Sequence, residues 1–118
     1  MTLTDVIQYK DFGHAYCSFI DEFKVSFNKG DIIKDPPIGN TLTERENLCI
    51  LAAATHRLAN EYGIEVPAWV YEPIYKMPYP IYEFNSDDRD YQEFLIKDTP
   101  IEFASRNIFL GSRVLNRV

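Results

Sequence analysis

The chain has 118 residues, of which 46% are hydrophobic and 25% charged, a balance typical of one globular domain over residues 1–118. Its net charge is −6, and its basic residues form no stripe, so nucleic acid is a disfavoured partner and a protein with a basic face is favoured. No apolar run is long enough to span a bilayer, and no signal-peptide pattern follows Met1. We therefore expect a cytoplasmic protein without a membrane partner.

Residues 4–28 have the periodicity of one long amphipathic helix. Gly13 lies off the apolar stripe, at a place where the helix can bend or divide. The simplest interpretation of the stripe is core packing, but its six aromatic rings leave an apolar small-ligand binder open as an alternative function. The stripe is about 100° wide and consists of Tyr9, Phe12, Tyr16, Phe19, Ile20, Phe23 and Phe27.

A second helix is predicted over residues 44–62. The sequence Thr43-Glu44-Arg45-Glu46 has the pattern of a capping box, and Gly63 suits the left-handed position after a helix end. Its apolar face, which includes Leu51, Leu58 and Ala59, and its alanines at 52–54 allow close packing. We expect this helix to be central and to pack against the first.

Residues 66–84, which we call the strap, contain four of the seven prolines, four of the eight tyrosines and the single tryptophan. The prolines exclude a long helix or a central strand, yet the segment is too aromatic for a solvated linker. We expect the strap to be ordered, with Trp69 buried against the central helix. Because alternate side chains of an extended chain cannot all point inward, some tyrosines should face outward as candidate partner-binding residues: Tyr71, Tyr75, Tyr79 and Tyr82.

The remaining sequence predicts short elements. A third helix over about 88–97 should bury Tyr91, Phe94 and Leu95, and Thr99-Pro100 should begin a fourth. Asn107 is a predicted left-handed stop before an extended piece at 108–110. A last turn should carry Val114, Leu115 and Val118. The fold class is therefore mainly α, a small irregular helical bundle crossed by an extended strap rich in proline and aromatic residues.

The residues capable of catalysis or metal binding form no recognised pattern. Cys17 and Cys49 are expected to be reduced thiols, and together with His14 and His56 they match no zinc spacing. We expect no metal, no cofactor and no catalytic residue. A small hydrolase-like or transferase-like enzyme with a site around His56 is the enzymatic alternative, although no neighbouring residue in the sequence is an activated nucleophile.

Three motifs in the second half of the chain carry a family resemblance: Gly63-Ile64-Glu65-Val66-Pro67-Ala68-Trp69, then Met77-Pro78-Tyr79-Pro80, and the block from Thr99-Pro100 through Phe103 and Arg106 to Ile108-Phe109. They resemble a bacterial domain found in uncharacterised proteins and at the C-terminal end of some helix-turn-helix regulators. The resemblance covers about half of the chain. Residues 1–40 depart from it because they do not resemble a DNA-binding domain.

The resemblance implies a structural role for four residues and a function by binding. Trp69, Phe103 and Phe109 would anchor the strap and the C-terminal piece to the central helix, and Arg106 would bind helix-end carbonyls or pair with Asp98 or Glu102. Such domains occur near toxin genes of the nucleotidyltransferase type, which implies an antitoxin or accessory role. We therefore expect a non-enzymatic module that binds another protein or forms a homodimer.

Overall fold

The computed structural model describes residues 1–115. Of its residues, 58% are helical and 3% lie in strands, so the predicted mainly α class is confirmed. Short 3₁₀ turns at Ala68–Tyr71, Pro73–Tyr75 and Glu83–Asn85 complete the order of elements. The α-helices and strands are α1 (Leu3–Gln8), α2 (Phe12–Val25), α3 (Lys29–Ile33), α4 (Arg45–Tyr62), β1 (Ile81–Tyr82), α5 (Arg89–Asp98), α6 (Ile101–Ala104) and β2 (Ile108–Phe109).

The predicted span 4–28 contains two helices, α1 and α2, so the prediction of one long helix there was wrong. The first break lies at Tyr9–Asp11, before Gly13, because the Asp11 carboxylate accepts the His14 backbone N–H and begins α2. Such side-chain caps favour a new helix start over continuation. α2 then ends at Val25, so the two ends of the predicted stripe, Tyr9 and Phe27, are exposed.

The middle of the stripe is core. Phe19, Ile20 and Phe23 are fully buried, while Phe12 and Tyr16 are half-buried. The predicted burial of Phe19 and Phe23 is confirmed, and that of Tyr16 is only partial.

α4 is the central helix, as predicted, and residues 51–55 are buried along it. Gly63 has φ 63°, which confirms the left-handed helix end. The predicted capping box was wrong, because Glu44 is the N-cap and makes no side-chain capping bond. Instead the Asn40 side chain accepts the N–H groups of Leu42 and Thr43, and the Glu44 carboxylate accepts the N–H of Asn40.

The strap lies on α4 and is joined to the C-terminal segment. Its first two 3₁₀ turns pack against α4. The pair β1–β2 is parallel, with Ile81 opposite Ile108 and Tyr82 opposite Phe109. Trp69 is buried and its Nε1 donates to the Ile33 carbonyl at 3.0 Å, so the predicted burial of this ring is confirmed.

The C-terminal elements follow the predicted order. Asp88 caps α5, and Asn107 has φ 64° before β2, as expected. The predicted burial of Phe94 was wrong: α5 buries Leu95, whereas the Phe94 ring stacks on Tyr91 at the surface. Leu115 is buried in the last turn, and Val118 lies outside the described residues. None of the helices in residues 1–115 has both the length and the apolar character needed to cross a membrane.

Candidate functional site

The four strap tyrosines divide into two exposed and two packed side chains. Tyr71 and Tyr79 are 62% and 61% exposed. Tyr75 is 7% exposed and packs edge-on against Trp69, with ring centroids 5.2 Å apart. Tyr82 is half-buried and stacks on Phe109. The strap thus has an inner row of rings that holds it down and an outer face that presents Tyr71 and Tyr79.

A further exposed ring, which the sequence did not single out, ends the strap. Phe84 is 85% exposed and has φ 59°, a left-handed conformation that bulky residues rarely adopt. Such backbone strain is found preferentially at functional sites. No sequence signal marks a phenylalanine for this conformation, since glycine and asparagine are its usual occupants. We include Phe84 with Tyr71 and Tyr79 in the outer face of the strap.

Side chains from distant elements bind the strap carbonyls that a regular sheet would have satisfied. Arg45 of α4 donates to the Lys76 carbonyl at 2.8 Å. Asn107 donates to the Met77 carbonyl at 2.7 Å. Because buried or partly buried carbonyls need partners, these bonds fix a segment that has almost no secondary structure. The sequence did not predict them, because the donors lie about 30 residues from their acceptors.

Arg106 is the main donor of this kind and is 6% exposed. Its Nη2 donates to the Val70 carbonyl at 2.9 Å, and its Nη1 donates to the Glu102 carbonyl at 2.6 Å. Its bond to the last turn of α6 agrees with the predicted helix-end contact, whereas no ion pair with Asp98 or Glu102 is present in residues 1–115. Burial lowers the pKa of Arg106.

His56 of α4 also contacts Arg106. We call Arg106, His56 and the Val70 and Glu102 carbonyls the Arg106 network. Its Nδ1 lies 3.2 Å from Arg106 Nη2. Since a guanidinium only donates, Nδ1 must accept, and the neutral ring carries its proton on Nε2. Burial, followed by the nearby Arg106 charge, lowers the pKa of His56. The Tyr71 ring packs edge-on against the imidazole, with centroids 5.2 Å apart.

The Glu102 carboxylate turns away from Arg106. Its Oε2 accepts from Asn60 at 2.8 Å, and its Oε1 lies 3.6 Å from Arg57 Nη1. Burial alone would raise the pKa of Glu102, but the Asn60 bond, its backbone contact and the charge of Arg57 together lower it. α4 therefore holds the carboxylate as an anion beside the network.

A shallow groove of about 390 Å³ opens between Tyr71 and the Arg106 network. Besides these residues it is bordered by Glu72, Lys76 and Ser105. The Ser105 hydroxyl donates to the Glu102 carbonyl at 3.3 Å, and His56 Nδ1 faces a guanidinium. Among the described residues, neither group forms a nucleophile–base pair.

The Cys and His residues are not brought together. Cys49 is buried, burial raises the pKa of its thiol, and its Sγ lies 3.6 Å from the Ile74 carbonyl. Cys17 is half-buried on α2, and neither cysteine forms a disulfide. Among residues 1–115, no three Cys, His, Asp or Glu side chains are grouped in a way that would hold a metal ion.

A small groove of about 250 Å³ lies beside Phe12 and Tyr16 of the aromatic stripe. The Tyr16 hydroxyl donates to the Val114 carbonyl at 2.6 Å, and burial raises its pKa. The tyrosine is thus committed to the C-terminal turn, and Phe19 and Phe23 are enclosed in the core.

The anchoring roles predicted for Phe103 and Phe109 stay predictions, and the two rings differ in burial. Phe103 is fully buried in α6, and Phe109 is half-buried in β2 against Tyr82. Comparisons of the chain with family models, curated proteins and solved structures find no match. The resemblance drawn from the sequence therefore stays a prediction.

Proposed function

We propose that this chain is a non-enzymatic protein-binding module that binds its partner through the outer face of the strap. The observation that carries the proposal is the combination of a fixed backbone with exposed rings. Tyr71 and Tyr79 project from a segment whose carbonyls are held by Arg45, Arg106 and Asn107. A preorganised aromatic surface loses little conformational entropy on binding, and tyrosine is enriched among the residues that dominate binding energy.

The composition of the chain supports a particular kind of partner. With a net charge of −6, the protein favours association with a protein that has a basic face. The family resemblance adds an antitoxin-like, accessory or regulatory role in the cytoplasm. A second copy of the chain is the other partner of the same class, in which case the outer face of the strap would pair with itself.

Site-specific photo-cross-linking in the native host tests this proposal. A photoreactive phenylalanine analogue is placed at position 71, 79 or 84 in separate variants, and cross-linked products are identified by mass spectrometry. We expect one protein to be captured from these positions. Position 27 is the matched control, because the Phe27 side chain is 103% exposed but lies far along the chain from the strap. Cross-links to the same protein with equal yield from position 27 would contradict the proposal.

Affinity measurements with the captured protein then give the energetic test. Tyr71→Ala and Tyr79→Ala should each weaken binding by about 10-fold or more, as expected for tyrosines central to an interface. Phe27→Ala should leave the affinity unchanged. If the cross-linked product is a second copy of the chain, light scattering should show a dimer that the tyrosine variants dissociate. Unchanged affinity in both tyrosine variants would exclude the strap as the binding face.

A further inference from the structure

The groove beside Tyr71 contains a buried positive charge without a direct counter-ion. Arg106 contacts three neutral acceptors: the Glu102 carbonyl, the Val70 carbonyl and His56 Nδ1. In residues 1–115 no carboxylate forms an ion pair with it. A buried charge is normally paired, because removing it from water is costly. Arg106 is therefore hydrogen-bonded to neutral groups but is not directly paired with a negative charge.

The guanidinium also retains donor capacity. Arginine has five N–H donors, and the three contacts use at most three of them, on Nη1 and Nη2. The described residues supply no hydrogen-bond acceptor to Arg106 Nε. The Nε–H group is thus an unused donor in a residue that lines the groove.

The other charges around the groove do not neutralise Arg106. Lys76 and Glu72 are exposed and have opposite signs, so these two border charges offset each other. The Glu102 carboxylate lies beside the network, but it turns to Asn60 and Arg57 and forms no ion pair with Arg106. The walls include the apolar residues Val70 and Pro73 as well as Tyr71. A small apolar groove with one unpaired guanidinium matches a carboxylate next to an apolar group. Glu72 and the overall charge of −6 disfavour a dianion such as phosphate.

We propose that this groove binds the C-terminal carboxylate of the partner protein, carried by a last residue with an apolar side chain. Arg106 is its main contact, Lys76 adds attraction at the border, and Tyr71 covers the apolar group. The inference rests on the proposed function, because the groove adjoins the outer face of the strap. The proposal adds a condition on the partner: although its surface is basic overall, it must place one carboxylate in this groove.

N-acetyl-leucine and N-acetyl-leucinamide are a matched pair of probes, alike in shape but only the first carrying a carboxylate. Binding is followed by NMR through the imidazole signals of the two histidines. His56 belongs to the network, while His14 on α2 is an internal control for general effects of salt. We expect N-acetyl-leucine to shift the His56 signals saturably, with a dissociation constant on the order of 1–10 mM for so small a ligand. The His14 signals should not change.

Charge variants at exposed positions test the proposal without disturbing the fold. Glu72→Gln removes a repulsive charge and should tighten N-acetyl-leucine binding about 2–5-fold, whereas Glu65→Gln, also exposed on the strap side of Gly63, should not. Lys76→Gln should weaken binding by a similar factor, with Lys34→Gln as its control. Arg106→Gln should abolish the response. The folding of Arg106→Gln is checked by circular dichroism. If this variant unfolds, the Glu72 and Lys76 variants test the proposal.

Several results would overturn the carboxylate site. One is the absence of a saturable His56 shift with N-acetyl-leucine. Another is an equal shift with the neutral amide, and a third is an equal affinity in wild type and Glu72→Gln. A response to inorganic phosphate without one to the carboxylate would also contradict it. Cross-linking from positions 71 and 79 tests the binding face separately, so partner capture together with a negative NMR result would remove the carboxylate proposal alone.

Discussion

The N-terminal helices and the strap are both rich in aromatic residues, but the two regions bury their rings for different reasons. In α2, burial follows helical periodicity: Phe19 and Phe23 are enclosed, and the rings beyond the helix ends are not. In the strap no such periodicity exists: Trp69 and Tyr75 are buried while Tyr71 and Tyr79 are exposed, and distant side chains donate to the strap carbonyls. Aromatic density alone therefore predicts neither core nor surface.

The largest expected effect concerns α2, where burial follows helical periodicity. Phe19→Ala should lower the free energy of unfolding by about 3–5 kcal/mol, because the ring is fully buried and its removal leaves a cavity. Phe27→Ala, from the same predicted stripe, should change it by about 0.5 kcal/mol or less. Urea titration of both variants gives the comparison. Similar losses in the two would mean that the stripe is packed along its whole length.

Removal of Arg106, which donates to a strap carbonyl, tests the strap side of the comparison. Arg106→Met should lower the free energy of unfolding by about 2–4 kcal/mol, since it leaves the Val70 carbonyl without its donor and removes the stronger of two side-chain bonds to the Glu102 carbonyl. The exposed Arg113→Met is its control and should cost about 0.5 kcal/mol or less. Limited proteolysis should in addition cut the strap faster in Arg106→Met. A strap as resistant as that of wild type would show that its rings suffice to hold it.

A smaller effect is expected when the Trp69 side chain keeps an aromatic ring but loses its N–H group. Trp69→Phe keeps an aromatic ring but loses the bond to the Ile33 carbonyl, at an expected cost of about 1–3 kcal/mol. Tyr79→Phe, at an exposed position of the same strap, should change the free energy of unfolding by about 0.5 kcal/mol or less. Equal stabilities of the two variants would argue that the indole bond contributes nothing.

The smallest effect is a pH dependence from His56. Its pKa is below the ordinary value of 6.5 in the folded protein, so the unfolded chain binds the proton more readily. Stability is therefore fully present above about pH 6.5 and falls as the pH decreases toward the folded pKa. Urea titrations at pH 7.5 and 5.5 should show a larger loss for wild type than for His56→Gln. An equal loss would exclude a contribution from the Arg106 network to this window.

Local signals in the sequence predicted the elements well. Gly63 and Asn107 adopt the left-handed conformation that their residue types favour, and Trp69 is buried as expected for a large ring among prolines. The N-terminal helix was mispredicted because apolar periodicity continues across Tyr9–Asp11, whereas the Asp11 side chain begins a new helix there. Periodicity describes one face and contains no information about where hydrogen bonding restarts.

The candidate site was predictable only in part. Tyr71 and Tyr79 followed from the strap composition, and a helix-end contact for Arg106 followed from the resemblance. The pairing of Arg106 with His56 joins residues 50 positions apart, and Arg45 reaches Lys76 across 31. Neither donor lies in a motif that identifies its acceptor, so a single sequence could not predict these contacts.

The position of the strap donors in the chain fixes the order in which the strap can form during synthesis. Arg106 is synthesised 36 residues after Val70 and Asn107 30 residues after Met77, whose carbonyls they bind, and β1 likewise waits for β2. A chain that ends before these residues lacks two of the donors and the β2 partner that hold the strap. We expect its strap, and with it the outer face, to be less ordered than in the full chain.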